Sequence, residues 1–251
     1  MGLYVEARVR ADLDALWAHS QDPALHQRWD LRFTEIRYLP RAKGEPRRFR
    51  YATRVLPGLT VAGTGVSAGE RERPDGTRTS ALRFSSPHPL SLIAEGSGYW
   101  RYVPEADGIR FLTGYDYRPR WGRAGALADR LLFRPLMGWA TAWSFDRLRL
   151  WLERGITPER ALRRWLAEAA VRLLTVVAAC AGLTYGALVD PAGPLAPMAL
   201  FATPVLAVSA VLAALLVPPL PGTPSARRCL RTPPPRARAP RLLATLKGQP
   251  S

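Results

Sequence analysis

The chemistry-bearing residue types in this sequence are sparse and badly spaced for catalysis. The three histidines are His19, His26 and His88. His19 and His26 are seven apart, but Asp22-Pro23 between them predicts a break, so they do not share a helix face as metal ligands do. The two cysteines, Cys180 and Cys229, fit neither a disulfide framework nor a metal spacing. There is no G-x-S-x-G, and Gly63-x-Gly65 lies in a strand pattern with no helix behind it, so it does not read as a phosphate loop. No catalytic residue, metal or cofactor is assigned on this basis.

The aromatic residues offer more. Tyr99, Trp100, Tyr102, Tyr115 and Tyr117 fall in two adjacent strand patterns, and Trp139 and Trp143 stand four apart on a helical one. Alternation places Phe111, Tyr115 and Tyr117 on one face, with Leu112, Asp116 and Arg118 on the other. Such rings serve either as packed core or as the wall of an apolar pocket. The polar strand residues are Arg83, Glu95, Arg101 and Asp116; any that faces inward needs a partner. The expected ligand-cavity residues are Phe111, Tyr115, Tyr117, Tyr99, Arg101, Trp139 and Trp143.

The elements that would position them follow from patterning. Residues 3–9 alternate as a half-buried strand, Asp12 caps a helix at 13–19, and Asp22-Pro23 opens a second short helix ending near Trp29. Six strands are predicted at about 33–39, 47–55, 60–72, 77–85, 91–103 and 108–117, joined by connections short enough for antiparallel hairpins. From Pro119 to Arg154 the pattern is helical, interrupted once at Pro135 and closed by Gly155. Gly63, Gly65, Gly69, Gly96 and Gly98 are expected to let the sheet bend.

Past this domain lie two uncharged apolar runs, 173–189 and 198–217, joined by DPAGPLAP. Their 17 and 20 residues extend roughly 25 and 30 Å as helices, enough to cross a hydrocarbon core. Arg160, Arg163, Arg164 and Arg172 precede the pair, and Arg227, Arg228 and Arg231 begin the cations that follow it, whereas the linker carries only Asp190. Cationic flanks stay on the cytoplasmic side, so the reading is a multi-pass cell-membrane protein with the domain and both termini cytoplasmic. The divisions are 1–154 domain, 155–172 juxtamembrane helix, 173–189 and 198–217 spans, 190–197 an extracytoplasmic loop, and 218–251 a disordered basic Pro-rich tail.

Net charge is +16, which in many chains signals nucleic acid. Here the excess is +5 over 1–120, +5 over 121–165 and +6 over 166–251, so most of it falls past residue 120, before and around the spans, where anionic lipid is the nearest partner. Nucleic acid is not expected as a partner. The N-terminus shows no apolar signal region, and Glu6 stands where myristoylation needs Ser or Thr.

Strand, two short helices, six antiparallel strands and a long helix is an order that resembles the START-like helix-grip superfamily, also called SRPBCC. The likeness covers 1–154 and is carried by Ala7-Arg8-Val9-Arg10-Ala11-Asp12-Leu13-Asp14-Ala15-Leu16-Trp17, then Asp22-Pro23 and Trp29. It implies an α+β fold, a curved antiparallel sheet around a long C-terminal helix, here with two transmembrane helices added. It also implies an elongated apolar cavity. The expected function is therefore a membrane-anchored binder or carrier of a hydrophobic small molecule or lipid. The alternatives are a polyketide cyclase/aromatase-like enzyme on a membrane-soluble substrate, and a membrane adaptor with a vestigial cavity.

Overall fold

The computed structural model describes residues 2–188 and 201–234. The chain forms two units: Met1–Pro158 together with the segment from Ser225 on, and Glu159–Pro224. Expectations for the linker at 190–197, the first residues of the second span and the tail beyond Pro234 lie outside the described residues.

The first unit is a seven-stranded antiparallel sheet: β1 (Leu3–Val9), β2 (Glu35–Tyr38), β3 (Arg48–Leu56), β4 (Leu59–Glu72), β5 (Arg78–Ser85), β6 (Ile93–Glu105) and β7 (Gly108–Pro119), in the order β1-β7-β6-β5-β4-β3-β2. Between β1 and β2 stand α1 (Leu13–Gln21) and α2 (Pro23–Trp29), and after β7 come α3 (Gly122–Ala128), a π-helical turn at Asp129–Phe133 and α4 (Arg134–Arg154). This is the helix-grip arrangement, a long helix held by a meandering sheet.

Local chemistry sets these boundaries. The Asp12 carboxylate accepts from the Asp14 and Ala15 amides at 2.9 and 3.1 Å, and Asp22 caps α2 through the Ala24 amide at 2.8 Å; each such cap is worth about 1 kcal/mol. Pro135 falls in the first turn of α4, where its missing N–H costs nothing, and Gly155 closes the helix in a left-handed conformation, φ 61°.

Several of the strand glycines make room for aromatic rings. Gly65 lies beneath the Phe49 ring, Gly63 beneath Tyr51 and Gly96 beneath Phe84, and a Cβ at any of them would collide with the aromatic across the strand pair. Each makes room for a large ring on the helix-side face. The register shifts lie elsewhere, at Ser67/Gly69, Arg54/Leu56 and Ile93/Glu95. Gly69, at φ 131°, sits at one of these shifts.

The chain after the second apolar helix completes this unit. Leu230 pairs with Glu6 on the outer edge of β1 through Leu230 N–H to Glu6 O at 2.9 Å and Glu6 N–H to Leu230 O at 2.8 Å. Cys229 Sγ donates to the Ala142 carbonyl of α4 at 3.2 Å. Asp146, fully buried on α4, accepts from the Ser225 amide and from Arg228, both at 2.8 Å, while Arg149 holds its other oxygen at 2.7 Å. Residues 225–230, expected to belong to a disordered tail, are thus a built part of the domain: a carboxylate buried on α4 needs donors, and this segment supplies two.

In the second unit α5 (Pro158–Leu188) is one continuous helix in which the juxtamembrane segment runs straight into the first apolar run. It is followed among the described residues by α6 (Thr203–Leu216). Arg172 pairs with Glu168 at 2.6 Å and donates to the Ala214 carbonyl at 2.7 Å, and Glu168 accepts from the Leu220 amide at 3.2 Å. This pair therefore binds the end of α6 to α5. Helix α5 is long and apolar enough to cross a membrane, with a mean hydropathy of 1.8 over its most apolar 18 residues and only 6% of those residues buried.

A chain ending at Gly155 loses Ser225 and Arg228 from a fully buried carboxylate and uncovers the β1 edge. Removing one partner of a buried pair costs about 3–5 kcal/mol, less here because Arg228 is partly exposed. In thermal unfolding, residues 1–155 are expected to melt below the same fragment supplemented with a tethered 225–234 segment. Equal melting temperatures would show that the segment adds nothing to the domain.

Candidate functional site

The register sorts the expected site residues onto two faces. Phe111, Thr113, Tyr115 and Tyr117 of β7 point toward α4, as do their β6 neighbours Trp100 and Tyr102. Phe111 stacks on Phe145 of α4 at 4.4 Å and 21°, and Trp100 lies 5.7 Å from Trp29 and 5.3 Å from Phe111. Trp143 is 2% exposed and its neighbour Trp139 is half-buried, their rings 6.4 Å apart. Phe111 and Trp143 are therefore close-packed core.

Tyr99 and Arg101 do not belong to this face. Tyr99 pairs with Gly114 and Arg101 with Leu112, so both point to the opposite side, where Tyr4, Ala81, Tyr99 and Leu112 form a separate cluster. The expectation that they line a cavity beside Tyr115 is corrected by this strand parity. The tyrosine hydroxyls at that surface titrate high: burial, then Glu6 as acceptor, raises Tyr4 above the usual range, and burial raises Tyr99.

The backbone of α4 lies along β1, which leaves the helix-side face of β3, β4 and β5 less covered. Phe33, Phe49, Tyr51 and Phe84 are all half-buried there. Phe33 and Tyr51 meet edge-on at 5.7 Å, and Phe49 lies 6.4 Å from Tyr51. Burial pushes the Tyr51 phenol up to about 12, so it stays a neutral donor, and its hydroxyl donates to the Ser85 carbonyl at 3.3 Å. The surface offered is flat, aromatic and largely apolar.

Two buried polar chains flank it. In the first, the fully buried Asp30 carboxylate takes a bidentate pair from Arg32 at 2.9 and 2.6 Å and a contact from His26 Nε2 at 3.0 Å. Burial alone would raise the Asp30 carboxyl, but the Arg32 charge and hydrogen bonds, followed by those of His26, outweigh it and hold it well below the usual carboxylate range. The Arg32 guanidinium lies 5.6 Å over the Tyr115 ring, and Tyr115 Oη meets Thr141 Oγ1 of α4 at 3.1 Å. In the second, Tyr117 donates a short hydrogen bond to Asp129, whose other oxygen receives Arg134 Nε at 3.1 Å. Burial, then Asp129, raises the Tyr117 phenol far above its ordinary range, keeping it protonated.

None of the charged residues in these chains was among the polar candidates read from the strands. Arg83 and Arg101 are half-buried, and Glu95 pairs with Arg118 at 3.1 Å in an exposed bridge. The interior charges come from the α2–β2 connection and the π-helical turn, where strand alternation says nothing; the short Asp-x-Arg after Trp29 is their one signal in sequence. Among the described residues no group of three His, Cys, Asp or Glu could hold a metal ion.

No family model matches the chain. Over 162 residues it is 51% identical to the uncharacterized membrane protein YndG of Bacillus subtilis (strain 168), a match covering 64% of this chain and 60% of that protein. The chain thus spans about 60% of the length of the curated relative it matches. Similar solved structures include a STAR-related lipid transfer protein from Xanthomonas axonopodis, 20% identical over 59% of this chain and 84% of that one, TM-score 0.44. Another is the di-domain ARO/CYC StfQ from the steffimycin biosynthetic pathway, 15% identical over 64% and 51%, TM-score 0.45. A third is the Zhui aromatase/cyclase from Streptomyces sp. R1128, 16% identical over 59% and 95%, TM-score 0.40.

The Asp30 cluster predicts an acid response. A carboxyl depressed in the folded state adds stability that is fully present above its unfolded pKa of about 4 and is lost as pH falls toward the folded value. Asp30→Asn leaves Arg32 buried without its counter-ion, at a cost of about 3–5 kcal/mol at neutral pH. The gap between variant and parent should narrow as pH falls below about 4. A gap that is constant down to pH 2 in denaturant titrations would place the effect elsewhere.

Proposed function

We propose that the domain binds a hydrophobic small molecule or lipid on the face bearing Phe33, Phe49, Tyr51 and Phe84, and that α5 and α6 hold it at a bilayer as a hairpin. The observation that carries the binding reading is the aromatic face itself: half-buried rings stacked over strand glycines, beside neutral phenol oxygens that can accept from one polar group of a ligand. Gly63, Gly65 and Gly96 hold no side chain, so the rings lie flat across the strands. Similarity to a membrane protein of Bacillus subtilis supports the membrane association.

Binding without a covalent step is favoured over catalysis. The two acids flanking this face are each already held by arginine, Asp30 by Arg32 and Asp129 by Arg134. A carboxylate whose charge is already held by a guanidinium is a poor general base.

For the hairpin, the support is connectivity. The domain both precedes α5 and takes up Ser225–Leu230 after α6, so the two flanks share one folded body and one side of any membrane. The arginines around α5 and after α6 favour the cytoplasmic side. A cysteine placed at 193 should react with an impermeant maleimide on intact cells, and one placed at Arg231 should react only after permeabilisation. The reverse pattern would invert the orientation.

Ligand binding is tested on the full chain in detergent micelles with a fluorescent fatty-acyl probe. Micromolar affinity, about −8 kcal/mol, is expected. Phe84→Lys places a charge on the aromatic face and should weaken binding at least about tenfold, or 1.4 kcal/mol. Gly65→Ala displaces the Phe49 ring and should weaken it too, with a stability loss of about 1–3 kcal/mol. Probe binding that both variants leave unchanged would remove this face from the reading.

A further inference from the structure

The two ends of the sheet differ in a way that ligand binding does not require. At one end lie the β3–β4 turn, the connection from β5 to β6 and the junction from β7 into α3. This follows from the antiparallel order and is fixed by contacts: Arg120 donates to the Ser86 and Ser91 carbonyls, Trp121 Nε1 donates to the Pro89 carbonyl at 3.0 Å, and Ser86 Oγ donates to the Ala62 carbonyl at 2.7 Å. The start of α4 belongs to the same end, since Leu3, at the start of β1, pairs with Tyr115 and packs at Gly138.

This end is apolar where water should be. Leu56 is 61% exposed, Leu90 57%, Trp121 49%, Leu127 59%, Leu131 68% and Leu132 69%. Most of the large exposed apolar side chains in the first unit gather here, and none lies on the β4–β5 or β6–β7 turns at the opposite end. Contiguous exposed apolar groups on a soluble surface mark a contact with something apolar. Trp121 is also held in a left-handed conformation, φ 66°, which a bulky residue adopts only at a cost of about 1–3 kcal/mol. Its indole N–H is tied to Pro89 O while half of the residue faces outward.

The charge follows the same division. Residues 54–62, 83–95 and 116–136 carry seven arginines and three acids: Glu95, which pairs with Arg118, Asp116, and Asp129, which is buried and paired with Arg134. At the opposite end, residues 10–16, 39–48, 69–79 and 103–110 carry eight acids against nine cations, so the cationic excess lies at the first end. Apolar tips within a collar where arginines outnumber carboxylates match an anionic bilayer surface: the tips enter the acyl boundary and the guanidinium groups meet the phosphates.

We infer that this end of the domain, led by Leu56, Leu90, Trp121, Leu131 and Leu132 and rimmed by Arg54, Arg123 and Arg130, docks into the headgroup layer of an anionic leaflet. The inference rests on the reading that α5 anchors the chain in a bilayer. It adds that the domain lies down on that bilayer instead of standing clear of it on its anchor.

The test uses the full chain with Cys180 and Cys229 replaced by alanine and single cysteines introduced at Leu90, Trp121 and Leu131, at Val177 of α5, and at Asp75 on the opposite end. Each is labelled with an environment-sensitive fluorophore and reconstituted into vesicles of phosphatidylglycerol with phosphatidylcholine, or of phosphatidylcholine alone. With the anionic vesicles, labels at Leu90, Trp121 and Leu131 are expected to shift to the blue and to be quenched by nitroxide lipids, and the label at Asp75 is expected to stay in water. Arg54→Gln with Arg123→Gln should shift the docking equilibrium by roughly fivefold for each arginine removed, the worth of a cation near an anionic surface. Added salt should weaken docking further. Lipid signals at Val177 with water signals at all three tips would overturn the docking and leave the anchor standing. Water signals at Val177 would overturn the anchor reading itself. Tips shielded equally in detergent and in both vesicles would mean that protein covers this end, which also overturns the inference.

Discussion

The buried carboxylate of Asp146 is the constraint on which the unit depends. It sits at the middle of α4 with no exposure, and four polar contacts satisfy it: two from Arg149, one from Arg228 and one from the Ser225 amide. Arg149 also holds Glu153 at 2.7 Å, and Glu153 accepts from the Arg10 amide at 3.0 Å, where β1 ends. One connected set of charges therefore joins the first strand, the long helix and the segment that returns after α6. An isolated ionised carboxylate in that position would be costly, so the returning segment is part of the reason α4 can carry it.

The same logic explains why the domain's edge is closed. An outer strand such as β1 presents unpaired N–H and C=O groups, a template for unwanted pairing. Leu230 occupies Glu6 at the middle of that edge, and the Asp146 pair holds the segment in place to do so. Cys229 between them is pushed up to about 12, by burial first and then by Asp146, so its thiol stays protonated as a weak donor to Ala142 O and is chemically quiet.

Much of this architecture was legible from residue patterns. The alternation of Leu3, Val5, Ala7 and Val9, the caps at Asp12 and Asp22, and the stop at Gly155 all depend on neighbours within a few positions, and all appear where the pattern puts them. Strand parity in β6 was not legible. Tyr99, Trp100 and Tyr102 are all buried, so the strand is covered on both faces and its apolar period vanishes. That is why Tyr99 and Arg101 were grouped with Tyr115 although they face away from it. The pairing of Asp146 with Arg228 was invisible for a different reason: the partners lie 82 positions apart, and the basic Pro-rich stretch around Arg228 has the composition of a solvated tail. Composition reports whether a segment can bury apolar surface; it does not report whether a buried carboxylate elsewhere is waiting for a cation.

What an ion pair contributes here is selection more than strength. A buried pair often adds little net stability over apolar side chains of the same shape, because desolvation offsets the attraction. An apolar patch on α4 at position 146 would accept any oily segment, and this chain has two helices' worth of them in α5 and α6. A carboxylate rejects all of those and accepts a segment with a cation and a free amide at the right spacing, which Ser225 and Arg228 provide. A polar clasp of this kind selects the returning segment over the apolar runs of α5 and α6.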